Sequence, residues 1–249
     1  MTWIITSDQV NPPGDAAITY DITNAGGDFN LRSTGTVDYE IEWGDGNVEI
    51  STLNTLPHTY AAGNYTLGVY SDGVYRPYFN NVTADASQIT SVVISPGANL
   101  GTDLTNAWYS ASNMTSFVCP FDVTSNTTNF DRAWRNCTNL VSFPLINTSS
   151  ATKFIQAWLD CRTLVSFPAN MFDTTGTLGS AAFNNTWLNC ALTAQSIENI
   201  LVSLDTNGAT GITLGIGGGT NAAKTTWSAA AVTAYDNLIV KGWTISFNA

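Results

Sequence analysis

The chain has 249 residues, of which 44% are hydrophobic and 11% aromatic, enough apolar surface for a globular core. Only 11% of the residues are charged, and 19 acidic against 8 basic side chains give a net charge of -11. This sign excludes nucleic-acid binding as a predicted function, because a protein that binds phosphates needs a positive surface.

The first residues, MTWIITSDQVNPPGD, have no basic region, no long apolar region and no cleavage site of small residues, so we expect no signal peptide. The apolar residues after Met1 predict a strand, and no later stretch is long enough to predict membrane insertion. An acidic chain rich in Thr, Asn and Ser is typical of extracellular or particle surfaces. Three explanations fit such a chain: a fragment, a removed signal, or export inside a virus particle.

Residues 18–78 alternate apolar and polar side chains, with turns rich in Gly, Asn and Asp between the alternating runs. This period of two predicts half-buried antiparallel strands, and we assign residues 1–86 to a β-sandwich. His58 is interpreted as a structural residue that bonds the backbone. An acidic run in this part predicts a solvated strand face, with calcium binding as the alternative; its members are Asp38, Glu40, Glu42, Asp45 and Glu49.

Residues 87–192 contain a repeat, most visible in NCTNLVSFP and DCRTLVSFP. Aligning the repeats places Trp108, Trp134, Trp158 and Trp187 in one column, at spacings of 26, 24 and 29 residues. A second column holds Ile89, Met114, Leu140 and Leu164. Periods of this size predict a solenoid, in which each repeat buries its apolar side against its neighbours. Within a repeat we expect a short strand at the TSF or VSF run and a short helical or 3₁₀ turn at the AW segment.

Three of the four cysteines, Cys137, Cys161 and Cys190, share one column, with Ala111 at the same place in the first repeat and Cys119 elsewhere. Equivalent residues of adjacent repeats lie within disulfide range, but their side chains point in parallel. The column therefore predicts buried free thiols. Zinc is not expected, because no CxxC pair occurs and His58 is the only histidine.

Residues 193–249 change period and predict two helices, each followed by a strand. The first helix carries Ile197, Ile200, Leu201 and Leu204 before Gly208, and the second carries Val232, Tyr235, Leu238 and Ile239 before Gly242. The strands follow at Ile212, Leu214 and Ile216, and at Trp243, Ile245 and Phe247. We interpret this part as an α/β cap that closes one end of the solenoid.

The repeats and their AW segments resemble the BspA-type leucine-rich repeats of bacterial and phage surface proteins. VDYEIEWGDGNVEI, with its turn at Trp43, Gly44, Asp45 and Gly46, and LPHTYAAGNYTLGVYSDG, with His58, Thr59 and Tyr60 opening the next strand, are similar to the PKD-like, immunoglobulin-type module that precedes such repeats. The end of the chain resembles the closing segment of the same proteins. The resemblance implies a mainly β protein with some helix: a PKD-like sandwich, a leucine-rich-repeat solenoid and an α/β cap.

No catalytic motif, metal site or cofactor is predicted. GIGGGT at residues 215–220 lacks the following GK[ST] of a phosphate loop and is interpreted as a glycine-rich corner. A polysaccharide depolymerase would need two carboxylates that flank a glycosidic bond. The aspartates of the repeats are scattered over different columns and are interpreted as turn and capping residues; they are Asp103, Asp122, Asp131, Asp160 and Asp173.

Two columns beside the tryptophans vary in chemistry along the repeats, as expected for a surface that binds a non-repeating partner. Plain surface drift explains the same variation. The residues proposed for binding are Tyr109, Arg132, Arg135, Gln156 and Leu159.

The sequence thus predicts a non-enzymatic bacteriophage virion protein, such as a fibre, spike or capsid decoration, on the virion surface or extracellular. Its expected partner is a host-surface glycan or protein, or another virion protein, and homo-oligomers are compatible with it. The alternative is a secreted bacterial adhesin, and a depolymerase is the third interpretation.

Overall fold

A computed structural model describes residues 17–34, 38–71, 73–80 and 82–249. The strand predicted directly after Met1 lies outside these residues. In the described part the chain is mainly β, with a mixed sheet, a small parallel sheet and a few helices. The predicted mainly β class with some helix is therefore confirmed.

Six strands form the mixed sheet. They are β1 (Ile18–Arg32), β2 (Tyr39–Glu42), β3 (Val48–Ser51), β4 (Thr55–Tyr70), β5 (Ile89–Ile94) and β6 (Ser116–Val118). Their spatial order is β3-β2-β4-β1-β5-β6, and all neighbours are antiparallel except β5 and β6, which are parallel.

Strand β1 is central to this sheet, because it pairs with β4 on one side and with β5 on the other. Ile18 lies opposite both Val69 and Ile94. At the start of β1 the buried residues Ile18, Tyr20 and Ile22 alternate with partly exposed ones, as the sequence pattern predicts. The sheet continues across the predicted boundary at residue 86. The sandwich and the bounds of the three domains stay predictions.

The four aligned tryptophans are fully buried and stacked face to face. Their ring centroids are 5.5, 5.2 and 5.4 Å apart in chain order, with planes inclined by 17°, 5° and 5°. The backbone N–H of each of the first three tryptophans donates to a carbonyl of the next repeat, and that of Trp187 donates to Gly215 of the C-terminal part, at 2.8 to 3.0 Å. The column predicted from the spacing is thus a continuous aromatic ladder.

A second aromatic row runs beside this ladder. The rings of Phe117, Phe143 and Phe167 stack on each other at 5.5 and 5.9 Å and meet the tryptophans edge-on, as at the 4.7 Å contact of Phe143 with Trp134. Edge-to-face and offset-stacked pairs stabilise beyond the burial of their area. In later repeats the predicted strand is reduced to a single bridge between Ser142 and Ser166.

The three α-helices in the described residues are α1 (Thr83–Ala86), α2 (Ala194–Asn207) and α3 (Ala229–Val240), and the 3₁₀ segments are Phe121–Thr124 and Lys224–Thr226. Thr193 and Ser228 cap α2 and α3 by accepting backbone N–H groups, and Gly208 ends α2 in the left-handed conformation.

Strands β7 (Thr213–Gly215) and β8 (Thr244–Ser246) follow α2 and α3 and pair in parallel. The two predicted helix–strand units are therefore confirmed. One detail is wrong: Ile239 is 42% exposed, because the side of α3 that packs against α2 carries the fully buried Leu238 and not Ile239.

Candidate binding site

The turns that carry the tryptophans share an unusual backbone. Two residues before each tryptophan the φ angle is positive, with values of 54° to 58° at Asn106, Arg132, Gln156 and Asn185. Asn is the non-glycine residue that most readily adopts this left-handed conformation, whereas Arg and Gln rarely do. The first and last members of the column therefore suit their backbone, and Arg132 and Gln156 do not.

The two unsuited residues meet each other. Arg132 Nε donates to Gln156 Oε1 at 3.1 Å, and Arg135 Nη1 donates to the same oxygen at 2.7 Å. The guanidinium of Arg135 also lies 5.5 Å from the centre of the Tyr109 ring, within the range of a cation–π contact. We call Tyr109, Arg132, Arg135 and Gln156 the Arg–Gln cluster.

The Arg–Gln cluster contains four of the five residues that the sequence predicted for binding. They come from three successive repeats, which the backbone hydrogen bonds of the ladder hold side by side. Arg132 is exposed, and Tyr109, Arg135 and Gln156 are partly exposed. Leu159 does not belong to this surface, because it is only 6% exposed although it occupies the same column as Tyr109 and Arg135.

The arginines of the cluster form no ion pair in the described part of the chain, where neither guanidinium lies within 4.0 Å of a carboxylate oxygen; Asp131 interacts with Arg132 only at a longer distance. Other basic residues are paired: Arg32 with Asp85, and Lys241 with Asp205. Arg135 Nε is buried and has no hydrogen-bond partner among the described residues. The cluster is thus a local excess of positive charge on a chain of net charge -11.

A second polar group follows Gln156 in the chain and includes Asp160, which the sequence indicated only as a turn or capping residue. Asp160 Oδ1 accepts from Asn189 Nδ2 at 3.1 Å and lies 3.5 Å from Arg162 Nη2. Asp160 and Asn189 share the column two residues after the tryptophan, where φ is again positive at 62°. The repeated Asn and Asp in that column are the signal that would have predicted the turn.

Most of the aspartates considered for a depolymerase accept structural hydrogen bonds. Asp103 Oδ1 accepts from the backbone of Thr105 at 2.9 Å, and Asp131 Oδ1 accepts from the backbone of Ile155 at 2.8 Å. Burial raises the pKa of Asp131, although the Ile155 bond and nearby cations act against the rise. The contact of Asp103 agrees with the predicted role as a turn residue, whereas that of Asp131 joins two repeats, which the sequence did not predict.

A cleft of about 490 Å³ lies at the start of the repeats, between Pro96–Gly101 and Pro120–Asn126. Asp122 is the only acidic residue in its lining, which otherwise consists of small, apolar and amide side chains. Glycoside hydrolysis employs a pair of carboxyl groups, and this cleft offers one among the described residues.

His58 has a definite structural role. Its ring stacks on Trp43 at 4.4 Å and 7°, and its Nε2 lies 2.8 Å from Asp45 Oδ2. The prediction that His58 bonds the backbone is wrong, because the turn between β2 and β3 brings the Asp45 carboxylate to the ring. Burial alone would raise the pKa of Asp45, but hydrogen bonds from His58 and Asn47 outweigh it and lower that pKa.

The acidic run around this turn does not gather into a cation site in the described residues. No group of three or more His, Cys, Asp or Glu side chains there is arranged to hold a metal ion. Calcium binding, the alternative for the run, therefore has no preformed cluster among these residues to use.

All four cysteines are buried free thiols, and the predicted burial is confirmed. In the shared column each thiol donates to a tryptophan carbonyl of the preceding repeat: Cys137 to Trp108, Cys161 to Trp134 and Cys190 to Trp158, at 3.0 to 3.3 Å. Burial raises the pKa of each, to about 12 for Cys119. Reactive thiolates form where the pKa is low, so these thiols are structural.

Among the described residues no helix is both long and apolar enough to cross a bilayer. Comparison of the chain with protein-family models, with curated proteins and with solved structures gave no match in any of the three.

Proposed function

We propose that this protein is a non-enzymatic surface protein of a bacteriophage particle that binds a host surface, or another particle protein, through the Arg–Gln cluster. In this proposal the repeats are BspA-type leucine-rich repeats of a solenoid, which follows a PKD-like sandwich and ends in an α/β cap. The solenoid serves as a rigid support, and the residues of its variable columns make the contact.

One observation carries the proposal. Where the backbone of the column favours Asn, as at Asn106 and Asn185, the two middle repeats have Arg132 and Gln156 instead, and these two side chains bind each other at the surface. Residues that adopt an unfavourable backbone conformation lower stability by about 1 to 3 kcal/mol each, and they concentrate at functional sites. Surface drift would not select two unfavourable residues that also meet.

The test uses substitutions that the repeats themselves provide. Arg132→Asn places the residue of two other repeats in its column, and Arg135→Leu does the same, since Leu159 and Leu188 occupy the equivalent position. The combined variant should melt at or above the temperature of the wild type, because Asn relieves the backbone strain.

Fluorescently labelled protein is incubated with intact cells from a panel of bacteria and, separately, with phage particles that carry the gene. We expect wild-type retention on one of these surfaces and at least a tenfold loss with the combined variant. Equal retention of both proteins refutes the role of the Arg–Gln cluster. Release of reducing ends by the wild type identifies a depolymerase and refutes the non-enzymatic assignment.

The secreted adhesin is distinguished by where the protein is found. An antibody against the chain should label purified particles if the proposal is correct. Label confined to the bacterial surface, in cells without phage, identifies the adhesin instead.

A further inference from the structure

We infer that the Arg–Gln cluster is a subsite for a carboxylate group of an acidic polysaccharide. The inference rests on the proposed binding function and names the chemistry of the ligand. The observations that carry it are the number of free donors, the unbalanced charge and the fixed placement of the two guanidinium groups.

The donors of the two arginines are only partly used. Arg132 employs Nε and Arg135 employs Nη1 in bonds to Gln156, so both Nη atoms of Arg132 and the Nη2 of Arg135 have no hydrogen-bond partner among the described residues. A guanidinium presents five N–H donors in a planar fork that matches the two oxygens of a carboxylate. The exposed side of Arg132 can therefore bind such a group with two parallel hydrogen bonds.

The positive charge of the Arg–Gln cluster favours an anionic ligand over a neutral sugar. Both guanidinium groups approach one uncharged oxygen, and the carboxylate that interacts with Arg132, Asp131, can balance only one of their two positive charges. The acidic side chains nearest in sequence are already engaged, Asp131 by the backbone of Ile155 and Asp160 by Asn189. An incoming carboxylate supplies the missing negative charge, whereas a hydroxyl does not.

The arginines are also held in place before any ligand arrives. Gln156 fixes one nitrogen of each, and the Tyr109 ring supports the guanidinium of Arg135. A side chain that is already ordered loses less conformational entropy when it binds. The net charge of -11 does not prevent the encounter, because at physiological salt charges more than about 8 Å away are screened.

The test measures binding of the full chain to polygalacturonate, whose sugars each carry a carboxylate, by biolayer interferometry at an ionic strength of about 0.15 M. Dextran sulfate and neutral dextran are the comparison polymers. We expect polygalacturonate to bind, dextran not to bind, and the Arg132→Asn plus Arg135→Leu variant to lose at least about tenfold in affinity. Arg135→Lys, which retains the charge without the planar fork, should lose less than the combined variant.

Arg162→Ala is the matched control. It removes one positive charge from the adjoining repeat, its guanidinium is already paired with Asp160, and Ala191 occupies the same column. Its affinity for polygalacturonate should stay within about twofold of the wild type, as expected for an exposed ion pair that contributes little.

Several results would overturn the inference. Equal binding of dextran and polygalacturonate shows that the charge is not recognised, and binding of dextran sulfate alone assigns a sulfate instead of a carboxylate. An equal loss with Arg162→Ala and with the combined variant indicates diffuse electrostatics, and no binding of any polymer removes the site.

The cell experiment separates this inference from the proposed function. Cells that retain the wild type through the Arg–Gln cluster while polygalacturonate does not bind leave the binding function intact and refute the carboxylate. Arginine-dependent binding of polygalacturonate without retention on any cell or particle supports the carboxylate subsite and refutes the proposed biological role.

Discussion

Replacing Trp134 by Ala tests the aromatic ladder in its middle, where each tryptophan ring meets five other rings. The fully buried Trp134 ring stacks between Trp108 and Trp158 and also contacts three phenylalanine rings. Those rings are Phe117, Phe130 and Phe143, at 5.3, 5.9 and 4.7 Å. Truncating a buried tryptophan to Ala costs about 3 to 5 kcal/mol, and the loss of five ring contacts places Trp134 near the upper end.

One feature of the Trp134 side chain reduces this loss of stability. The Nε1 of Trp134 is buried without a hydrogen-bond partner in the described residues, and an unsatisfied buried donor costs about 1 to 3 kcal/mol. Trp134→Phe retains an aromatic ring and removes that donor. It should therefore destabilise by clearly less than Trp134→Ala.

The free energy of unfolding is measured by guanidinium denaturation followed by far-ultraviolet circular dichroism, because tryptophan fluorescence changes with the substitution itself. Trp108→Ala is the internal comparison, since the Trp108 ring pairs with only two aromatic rings, those of Phe117 and Trp134, among the described residues. We expect a larger loss at position 134 than at position 108. A loss below about 1 kcal/mol at position 134 would refute the stacked ladder.

Two further predictions concern the thiol column and the turn after β2. Burial raises the pKa of Cys161 in the folded chain, so above about pH 8.5 the unfolded chain holds fewer protons and stability falls as the pH rises. Cys161→Ala copies Ala111 of the first repeat and has no thiol to ionise at this position. The free energy of unfolding of the wild type, relative to that of the variant, should fall by about 2 kcal/mol between about pH 8.5 and about pH 10. A difference that does not change with pH would contradict the raised pKa. Gly44 has a φ of 79°, and an added Cβ would lie 2.3 Å from the Thr66 carbonyl oxygen. Gly44→Ala should therefore lower the free energy of unfolding by at least about 1 kcal/mol in the same denaturation assay. Gly46→Ala is the control and should cost less, because an added Cβ there meets no atom within 4 Å.

The C-terminal helices were predictable because their signals are local. The spacing of apolar residues in α2 and the stop at Gly208 follow from helix geometry alone, and the structure places both as expected. The exposure of Ile239 was not predictable in this way. Its spacing fits the buried face of α3, but which side of a helix is covered depends on the neighbour that packs there.

The Arg–Gln cluster was predictable in part. Variation within the columns indicated Arg132, Arg135 and Gln156 one by one, but nothing in the sequence indicated that two guanidinium groups share one amide oxygen. Leu159 is the residue for which the column position was misleading, because it was predicted for binding but is not at the surface. It has the column position of Arg135, yet it is buried, because an apolar side chain is stabilised by packing where a long charged one extends to water.

The sequence by itself determined the repeat and the aromatic ladder, because equivalent residues of consecutive repeats must lie beside each other when the repeats stack. Only the tertiary structure decided the order of the sheet, in which β1 lies between β4 and β5 and Ile18 meets both Val69 and Ile94. The physical reason is that alternation shows which face of a strand is buried but does not specify its partner. The partner is selected by long-range packing and register, which become defined only when the whole core is assembled.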